Sequence, residues 1–374
     1  APAMAGYALP PNGASSYSKH PNRCIMHMSF LKYLADPVTH EPLQLESTDR
    51  HGDFVETGLL KSTTHTYPIV RGIPRFVNYQ STNYSRSFGY QWRKWPRLQF
   101  ESENIGRPMA GHTRRMWEKI TGINQSENHS HDNGVQPSNT HSDLNGTVVA
   151  DIGCGPGRFV DVARSKGARV IGIDYSAAAE VAEENFKHNP DVCICQADAL
   201  NLPLSPQSID GAFSIGVLHH TPDPQRGVEQ VFRALQTDGW FALSVYGQHG
   251  YYDFPAVQFW RKLFKHLWPV LGHYPPLIYT YATVHLFWPV AHYVPPLGRA
   301  IRAFFPFMNL PDFQWSLLDT FDSVTPSYQS AHASFEVFSW LKRAGFTNIE
   351  PTNWGFTSYR GHVSQQSMAA VQAA

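Results

Sequence analysis

The sequence predicts an α/β fold built around a parallel β-sheet. Between residues 147 and 247, short apolar runs alternate with amphipathic segments that end at glycine or polar residues. Such alternation is typical of β-α-β units, in which helices cover a parallel sheet. Acids follow several of the apolar runs, and ligands of such sheets bind beyond the carboxyl ends of the strands. The sequence therefore places a ligand site at this edge.

The first predicted strand, residues 148–152, runs directly into the turn Gly153-Cys154-Gly155-Pro156-Gly157. Three glycines at alternate positions let the backbone approach a ligand closely, because no Cβ intervenes. A predicted helix at 159–166 follows, so its free N–H groups face the same turn. Dinucleotide sites have the spacing G-x-G-x-x-G, whereas these glycines alternate. Asp151 just before the turn suits a cationic or amine-bearing group.

Two further acids follow later strands. The run at 168–173 ends at Asp174, and the run at 192–195 leads to Asp198. A carboxylate at the first position can accept from ribose hydroxyls, and one at the second can accept from an adenine amino group. Each acid alone could instead cap a helix, but three acids at these spacings favour one nucleoside site.

Four motifs, taken in order, resemble the class I S-adenosylmethionine-dependent methyltransferases. They are Asp151-Ile152-Gly153-Cys154-Gly155-Pro156-Gly157, Gly172-Ile173-Asp174-Tyr175-Ser176, Gln196-Ala197-Asp198-Ala199-Leu200 and Val217-Leu218-His219-His220. The resemblance covers residues 147–247 and implies a Rossmann-like, seven-stranded methyltransferase sheet with S-adenosyl-L-methionine as cofactor. It also implies two final strands, at 347–350 and 354–359, of which the last is antiparallel.

The resemblance implies roles for individual residues. Asp151 and the glycine turn would hold the methionine part of the cofactor, Asp174 the ribose, and Asp198 with Ala199 the adenine. An N-terminal helix often closes the cofactor site in related methyltransferases, which adds Tyr84 and Gln91 as neighbours. The full set of expected cofactor-binding residues is Asp151, Gly153, Cys154, Gly155, Gly157, Asp174, Tyr175, Asp198, Ala199, Gly216, Tyr84 and Gln91.

Three histidines are the candidate catalytic residues. His219 and His220 follow the fourth strand, next to the expected position of the methyl group, and His332 could approach from the lid side. A histidine titrates near neutral pH and can take a proton from an O- or N-acceptor. Each could instead pack or cap a helix. A sulfonium methyl is already electrophilic, so in-line displacement could also rely on proximity alone.

The rest of the chain divides by composition. The predicted organisation is a disordered tail at 1–22, a small module at 23–80, a helical connector over the cofactor site at 81–122, a polar linker at 123–146, the methyltransferase core at 147–247 and 330–362, an aromatic-rich lid insertion at 248–329, and a tail at 363–374.

The module at 23–80 resembles a small zinc ribbon. The cysteine pairs of such a module would align at Asp36 and Thr39 and near Leu60 and Thr63, and none of these is cysteine. We therefore expect no metal, and a fold that survives on packing. So small a core is marginal alone, which favours docking on the catalytic domain. The module either positions a partner or substrate or is a structural remnant.

The lid insertion has no Lys, Arg, Asp or Glu between Leu267 and Gly298 and is rich in aromatic residues. Six prolines divide this stretch into pieces of about a dozen residues, which disfavours a membrane span. Two short apolar helices over the substrate pocket are predicted instead. Such a lid suggests a sizeable apolar or planar acceptor, and the expected acceptor class is a small molecule or a lipid-like metabolite. Peripheral membrane contact is a second interpretation.

Composition limits the function classes. Thirty Lys and Arg balance 30 Asp and Glu, so no basic surplus indicates nucleic acid. The four cysteines are typical of buried residues in a reducing compartment, and the N-terminal residues lack the apolar core of a signal peptide, so a cytoplasmic location is expected. The predicted function is S-adenosylmethionine-dependent methyl transfer to a small acceptor. O- or C-methylation is favoured, because the Asn-Pro-Pro-Tyr signature of amino-methyltransferases is missing. An RNA or protein methyltransferase and a catalytically silent cofactor-binding scaffold remain alternatives.

Overall fold

The computed structural model describes residues 25–77, 86–123, 143–352, 354–355 and 357–372. Two β-sheets and a set of helices make up this part of the chain. The N-terminal sheet is antiparallel and consists of β1 (Met26–His27), β2 (Gln44–His51), β3 (Phe54–Lys61), β4 (Thr66–Val70) and β5 (Ile73–Pro74). The larger sheet consists of β6 (Val148–Ile152), β7 (Arg169–Asp174), β8 (Val192–Gln196), β9 (Ile209–Ile215), β10 (Leu235–Val245), β11 (Thr347–Pro351) and β12 (Thr357–His362).

The strand order of the larger sheet is β11-β12-β10-β9-β6-β7-β8. Strands β6 to β10 are parallel, and β12 runs antiparallel to both β10 and β11. The predicted seven-stranded α/β sheet with an antiparallel last strand is thereby confirmed. That last strand begins at Thr357, three residues later than predicted, because its pairing with β10 starts at Val245 opposite Thr357.

Eleven α-helices occur in the described residues. They are α1 (Arg86–Lys94), α2 (His112–Thr121), α3 (Arg158–Ser165), α4 (Ala178–Phe186), α5 (Pro224–Ala234), α6 (Pro255–Leu271), α7 (Tyr274–Tyr293), α8 (Pro295–Arg302), α9 (Phe313–Val324), α10 (Ser334–Ala344) and α11 (Gln365–Gln372). Helices cover both faces of the larger sheet. Val170 of β7 packs with residues of α2, α3 and α4, while the next residue, Ile171, packs with residues of α5 and α10. Successive side chains of a strand point to opposite faces, so the continuous apolar runs fill two cores.

The lid insertion differs from the prediction of two short helices. It forms four helices, α6 to α9, because five of its ten prolines lie in the first turns of helices and do not end them. Pro255, Pro275 and Pro295 lie in the first turns of α6, α7 and α8, where the missing N–H has no helical partner anyway. Pro269 and Pro289 fall near the ends of α6 and α7. In the described part of the chain, none of the helices combines the length and hydropathy needed to cross a bilayer.

The N-terminal sheet is held together by a buried carboxylate at the position where the zinc-ribbon alignment puts a cysteine. Asp36 is fully buried, and its Oδ1 accepts from the backbone N–H of Val38 (2.8 Å) and from the Tyr67 hydroxyl (3.0 Å). Its Oδ2 accepts from Ser62 Oγ (2.5 Å) and lies 2.8 Å from His65 Nδ1. These bonds join the two loops that a metal would bridge. We expected this module to be stabilised by apolar packing alone, and the structure adds a buried hydrogen-bond network around Asp36.

This sheet docks on the catalytic domain, as the marginal size of its core led us to expect. Arg75, just after β5, bridges to Gln196 at the end of β8, and the Phe76 N–H donates to the Gln196 carbonyl at 2.9 Å. Arg75 also donates to Gln196 Oε1 (2.6 Å) and lies 3.5 Å from Glu180 of α4. The free edge of the larger sheet at β8 is thus covered, which removes an exposed strand edge.

Candidate active site

A cavity of about 580 Å³ opens at the carboxyl edge of the larger sheet. The ends of β6, β7 and β9 form its floor, and α1 and α9 cover it with Phe88, Gln91 and Asp322. Its volume falls within the range of small-molecule and cofactor sites. Most of its lining is apolar or aromatic, so the few polar groups that it contains determine what it binds.

The glycine turn forms one wall of this cavity. Gly153 and Gly155 adopt φ angles of 82° and 54°, a left-handed region that glycine enters without strain. A Cβ on Gly153 would lie 2.2 Å from Val217 Cγ1, so a larger residue cannot fit here. The Gly155 N–H donates to Asp174 Oδ2 at 2.9 Å. This bond fixes the turn against the end of β7.

Asp174 is the most strongly anchored acid of the site. Its Oδ1 accepts from the backbone N–H (2.8 Å) and the hydroxyl (2.7 Å) of Ser176. Burial raises the pKa of Asp174, and the bonds from Ser176 and Gly155 oppose that shift. One side of the carboxylate faces the cavity, since Asp174 is among the lining residues. This is the geometry expected of an acceptor for sugar hydroxyls.

Two other acids lie close by in different surroundings. Asp198 lines the cavity and is half-buried; its Oδ1 accepts from the Leu200 N–H at 2.9 Å. Asp151 is buried behind the turn and does not line the cavity, although its Oδ2 has no hydrogen-bond partner within the described residues. Burial, and then the negative charge of Asp174, raises the pKa of Asp151. A nearby cationic or amine group would relieve this orphaned oxygen.

The structure brings most of the predicted residues to one cavity. Those that line it are Gly153, Cys154, Gly155, Asp174, Tyr175, Asp198, Ala199, Gly216, Gln91 and His220. Four predicted residues do not line it: Asp151, Gly157, His219 and His332. Tyr84 lies outside the residues that the structure describes.

Local contacts explain why two of these residues, Gly157 and His332, do not line the cavity. Gly157 is the N-cap residue of α3 and has a φ of 94°; a Cβ there would lie 2.3 Å from Phe186 Cε2, so this glycine permits close helix packing. His332 instead bonds to its own segment: its Nε2 lies 2.7 Å from Ser330 Oγ and its Nδ1 lies 3.1 Å from Glu336 Oε1. The predicted approach of His332 to the cavity is therefore not seen.

The two adjacent histidines differ in environment. His219 is fully buried, packs on the Tyr246 ring (3.8 Å between centroids), and has neither ring nitrogen bonded within the described residues. His220 lines the cavity, and its Nδ1 lies 2.9 Å from the Tyr328 carbonyl. A carbonyl only accepts, so Nδ1 carries the proton and Nε2 keeps the lone pair. Burial lowers the pKa of His220 to about 4, so the ring is neutral near pH 7.

Sequence reasoning missed the half-buried cation of the site. Arg158, the first residue of α3, lines the cavity and donates from Nη1 to Gln99 Oε1 at 2.6 Å. It follows the glycine turn directly, so its position in the motif was the available signal. Burial lowers the pKa of Arg158, while Asp319 and Asp322 raise it.

The lid contributes a pair of acidic residues to the cavity. Asp319 and Asp322 are three residues apart on α9 and both line the cavity. Burial, and then Asp322, raises the pKa of Asp319 to about 7, with Arg158 opposing the shift. Burial also raises the pKa of Asp322, against a hydrogen bond from Gln91. These groups place hydrogen-bond acceptors on the lid side of the cavity.

The fold and this site together define a class I methyltransferase domain. Residues 150–243 match the family model described as "Methyltransferase domain". The methyl donor of such domains is S-adenosylmethionine, as the sequence motifs imply.

Among similar proteins, "Probable tRNA methyltransferase 9B" of Bos taurus is 34% identical over 104 residues, which are 27% of this chain and 22% of that protein. "Ubiquinone biosynthesis O-methyltransferase" of Paracidovorax citrulli is 33% identical over 105 residues, 27% of this chain and 44% of that protein. The chain thus spans less than half the length of either relative. Among solved structures, phosphoethanolamine N-methyltransferase 2 of Haemonchus contortus matches with a TM-score of 0.39 and 16% identity, covering 74% of this chain and 46% of that one.

Proposed function

We propose that this protein transfers a methyl group from S-adenosylmethionine to a small acceptor bound in the same cavity. The observation that carries the proposal is the convergence of Asp174, Asp198, the Gly153–Gly155 turn and His220 on one enclosed space. A cofactor site alone would not need a neutral histidine with a free lone pair beside it.

The residues fit the donor. Asp174 and Asp198 offer carboxylate oxygens to ribose hydroxyls and an adenine amino group, and Gly155 lets the backbone approach closely. Arg158 lines the cavity and is the cation that suits a carboxylate tail. When bound, the cofactor supplies an electrophilic methyl group on a sulfonium.

The acceptor side favours a planar or apolar molecule that carries a hydrogen-bond donor. Trp92, Tyr252 and Trp315 provide aromatic surface, and Asp319 and Asp322 provide acceptor oxygens. A hydroxylated or enolic acceptor meets both conditions, which supports O- or C-methylation.

His220 is the group placed to take a proton from the acceptor. Its Nδ1–H is held by the Tyr328 carbonyl, so the ring cannot turn without losing that bond. Nε2 is then the basic atom. Because the pKa of His220 is about 4, the lone pair is available at any pH well above that value. The main role of His220 is then to orient the acceptor through a hydrogen bond, and its minor role is to act as a weak base.

The test is a transfer assay with S-adenosylmethionine labelled in its methyl group. Acceptor panels should include phenols, enols, amines, lipid-like quinols and unmodified tRNA, with Asp174→Ala as the inactive control. The proposal predicts label in a small acceptor, lost in the control. Labelled tRNA instead would support the RNA alternative. A protein that binds S-adenosylhomocysteine but labels no acceptor would support the scaffold alternative, and either result would overturn the proposal.

A further inference from the structure

The outer surface of the lid carries an unusual combination of residues. From Phe254 to Pro311 the chain contains no Asp or Glu, while Arg261, Lys262, Lys265, Arg299 and Arg302 give it five positive charges. The whole chain is balanced at 30 acidic and 30 basic residues. The lid is therefore a local cationic region on a neutral protein.

Large apolar side chains of this region point to solvent. Val270 at the end of α6 is 85% exposed, and Tyr293 at the end of α7 is 78% exposed. Along α7 the exposed side chains Tyr274, Ile278, Leu286 and Tyr293 recur at intervals that keep them on one side of the helix. Such a stripe is expected when a helix is apolar on all sides but packs against the rest of the protein on only one side.

The exposed Phe305 side chain packs against half-buried aromatic rings of two lid helices. Phe305, itself partly exposed, contacts Trp260 of α6 (6.1 Å between ring centroids) and Phe287 of α7 (5.7 Å). We define the lid face as the exposed side chains Phe259, Val270, Leu271, Tyr274, Ile278, Leu286, Tyr293, Val294, Leu297, Phe304 and Phe305. These are 11 of the 18 large apolar side chains that are exposed on the described residues, and such a concentration in one insertion indicates an interaction site.

Exposed lysines border the lid face. Lys262 follows Phe259 by three residues on α6, so the two share a side of the helix, and Lys265 follows by three more. Arg261, Lys262 and Lys265 also line a second cavity of about 240 Å³, where Asp253 is the one acid among the lining residues. Tyr252 lines this cavity and the active-site cavity alike. The basic border thus adjoins the acceptor end of the active site.

We propose that the lid face docks on the surface of a membrane that contains anionic lipid. Apolar and aromatic side chains would enter the headgroup boundary, and the lysine and arginine side chains would contact lipid phosphates. Charge complementarity favours an anionic membrane, because the 58 residues from Phe254 to Pro311 carry basic side chains but no carboxylate that anionic lipid would repel. The docking is peripheral, since no described helix is suited to crossing the bilayer.

The experiment is co-sedimentation of the full chain with vesicles. Vesicles of phosphatidylcholine alone are compared with vesicles containing about 30% phosphatidylserine, at low and high salt. We expect the partition coefficient to be at least about 30-fold higher on the anionic vesicles and to fall with salt. Ile278→Ser/Leu286→Ser/Tyr293→Ser should lower it at least about tenfold. Lys262→Gln/Lys265→Gln should lower it about tenfold on anionic vesicles only.

Matched control variants come from another exposed surface. Phe335, 76% exposed on α10, supplies Phe335→Ser, and the same helix supplies Lys342→Gln/Arg343→Gln. These controls should partition like the wild type, and every variant should keep its affinity for S-adenosylhomocysteine, which shows that it is folded. Equal binding to both kinds of vesicle, no binding to either, or unchanged binding of the serine variant would overturn the proposal. A wild type that light scattering shows to be a dimer through the lid face would also overturn it.

Discussion

Replacing Asp174 by alanine tests the cofactor site at its best-defined group. A carboxylate offers about four lone-pair sites. In the structure three are already used, by the Gly155 N–H and by the N–H and hydroxyl of Ser176. About one site therefore remains for a ligand, so we expect Asp174 to make one strong hydrogen bond to a ribose hydroxyl.

The expected loss follows from that count. A hydrogen bond to a charged group contributes roughly 1.5–3 kcal/mol. Asp174→Ala should therefore weaken binding of S-adenosylhomocysteine about 10- to 150-fold. The lost bond to Gly155 loosens the turn as well, which places the result toward the upper end. Asp174→Asn keeps one acceptor oxygen and should give an intermediate loss.

Isothermal titration calorimetry of each variant with S-adenosylhomocysteine measures this effect. Ser176→Ala is the matched control, because it removes one hydrogen bond to the same carboxylate, from the Ser176 hydroxyl, but leaves its charge. We expect a change of less than about threefold for it. Thermal melting establishes that each variant is folded. An Asp174→Ala protein that is folded and binds within about twofold of the wild type would refute the assignment of Asp174 to the cofactor.

Three other predictions concern catalysis and stability. His220→Gln should lower kcat about 10- to 100-fold and leave the affinity for S-adenosylhomocysteine unchanged. In the wild-type pH–rate profile, the acid limb that His220 sets should lie near pH 4. An equal loss of kcat in His219→Gln would contradict the role of Nε2 of His220. Asp36→Ala should lower the free energy of unfolding by about 2–4 kcal/mol in urea titrations, since it leaves buried donors unpaired. Burial opposes ionisation of Asp36, but its hydrogen bonds outweigh that effect and hold the pKa of Asp36 below its usual range. The stabilisation by this carboxylate is therefore present near neutral pH and is lost as the pH falls through that pKa. Burial raises the pKa of Glu183 from 4.5 to about 8, so the stability of the wild type should fall as the pH rises between these two values. Glu183→Gln should therefore raise the melting temperature more at about pH 8.5 than at about pH 4.5. Equal shifts of the melting temperature at the two pH values would contradict a raised pKa at Glu183.

The sheet and the cofactor side of the site were predictable from the sequence for local reasons. Alternating glycines after an apolar run require a turn with positive φ, and Gly153 and Gly155 adopt it. Asp174 and Asp198 follow strands whose carboxyl ends meet at one edge, so both reach the cavity. These inferences needed only strand direction and residue chemistry.

The remaining features depend on contacts between distant parts of the chain. Which of two neighbouring histidines faces the cavity is set by the Tyr328 carbonyl, more than a hundred residues away. The Asp36 carboxylate joins loops 26 to 31 residues apart, and its residue type alone gives no sign of that. The prolines of the lid were interpreted as helix breaks, although first-turn positions such as that of Pro255 favour proline.

The central claim is that the cavity beside Asp174 binds an adenosyl sulfonium in preference to a dinucleotide. Calorimetric titration of the wild-type protein with S-adenosylmethionine, S-adenosylhomocysteine and NADH tests it directly. We predict a one-site isotherm with each of the first two compounds and no heat of binding with NADH. Folded protein that releases no heat with either adenosyl compound, or that binds NADH more tightly, would contradict it.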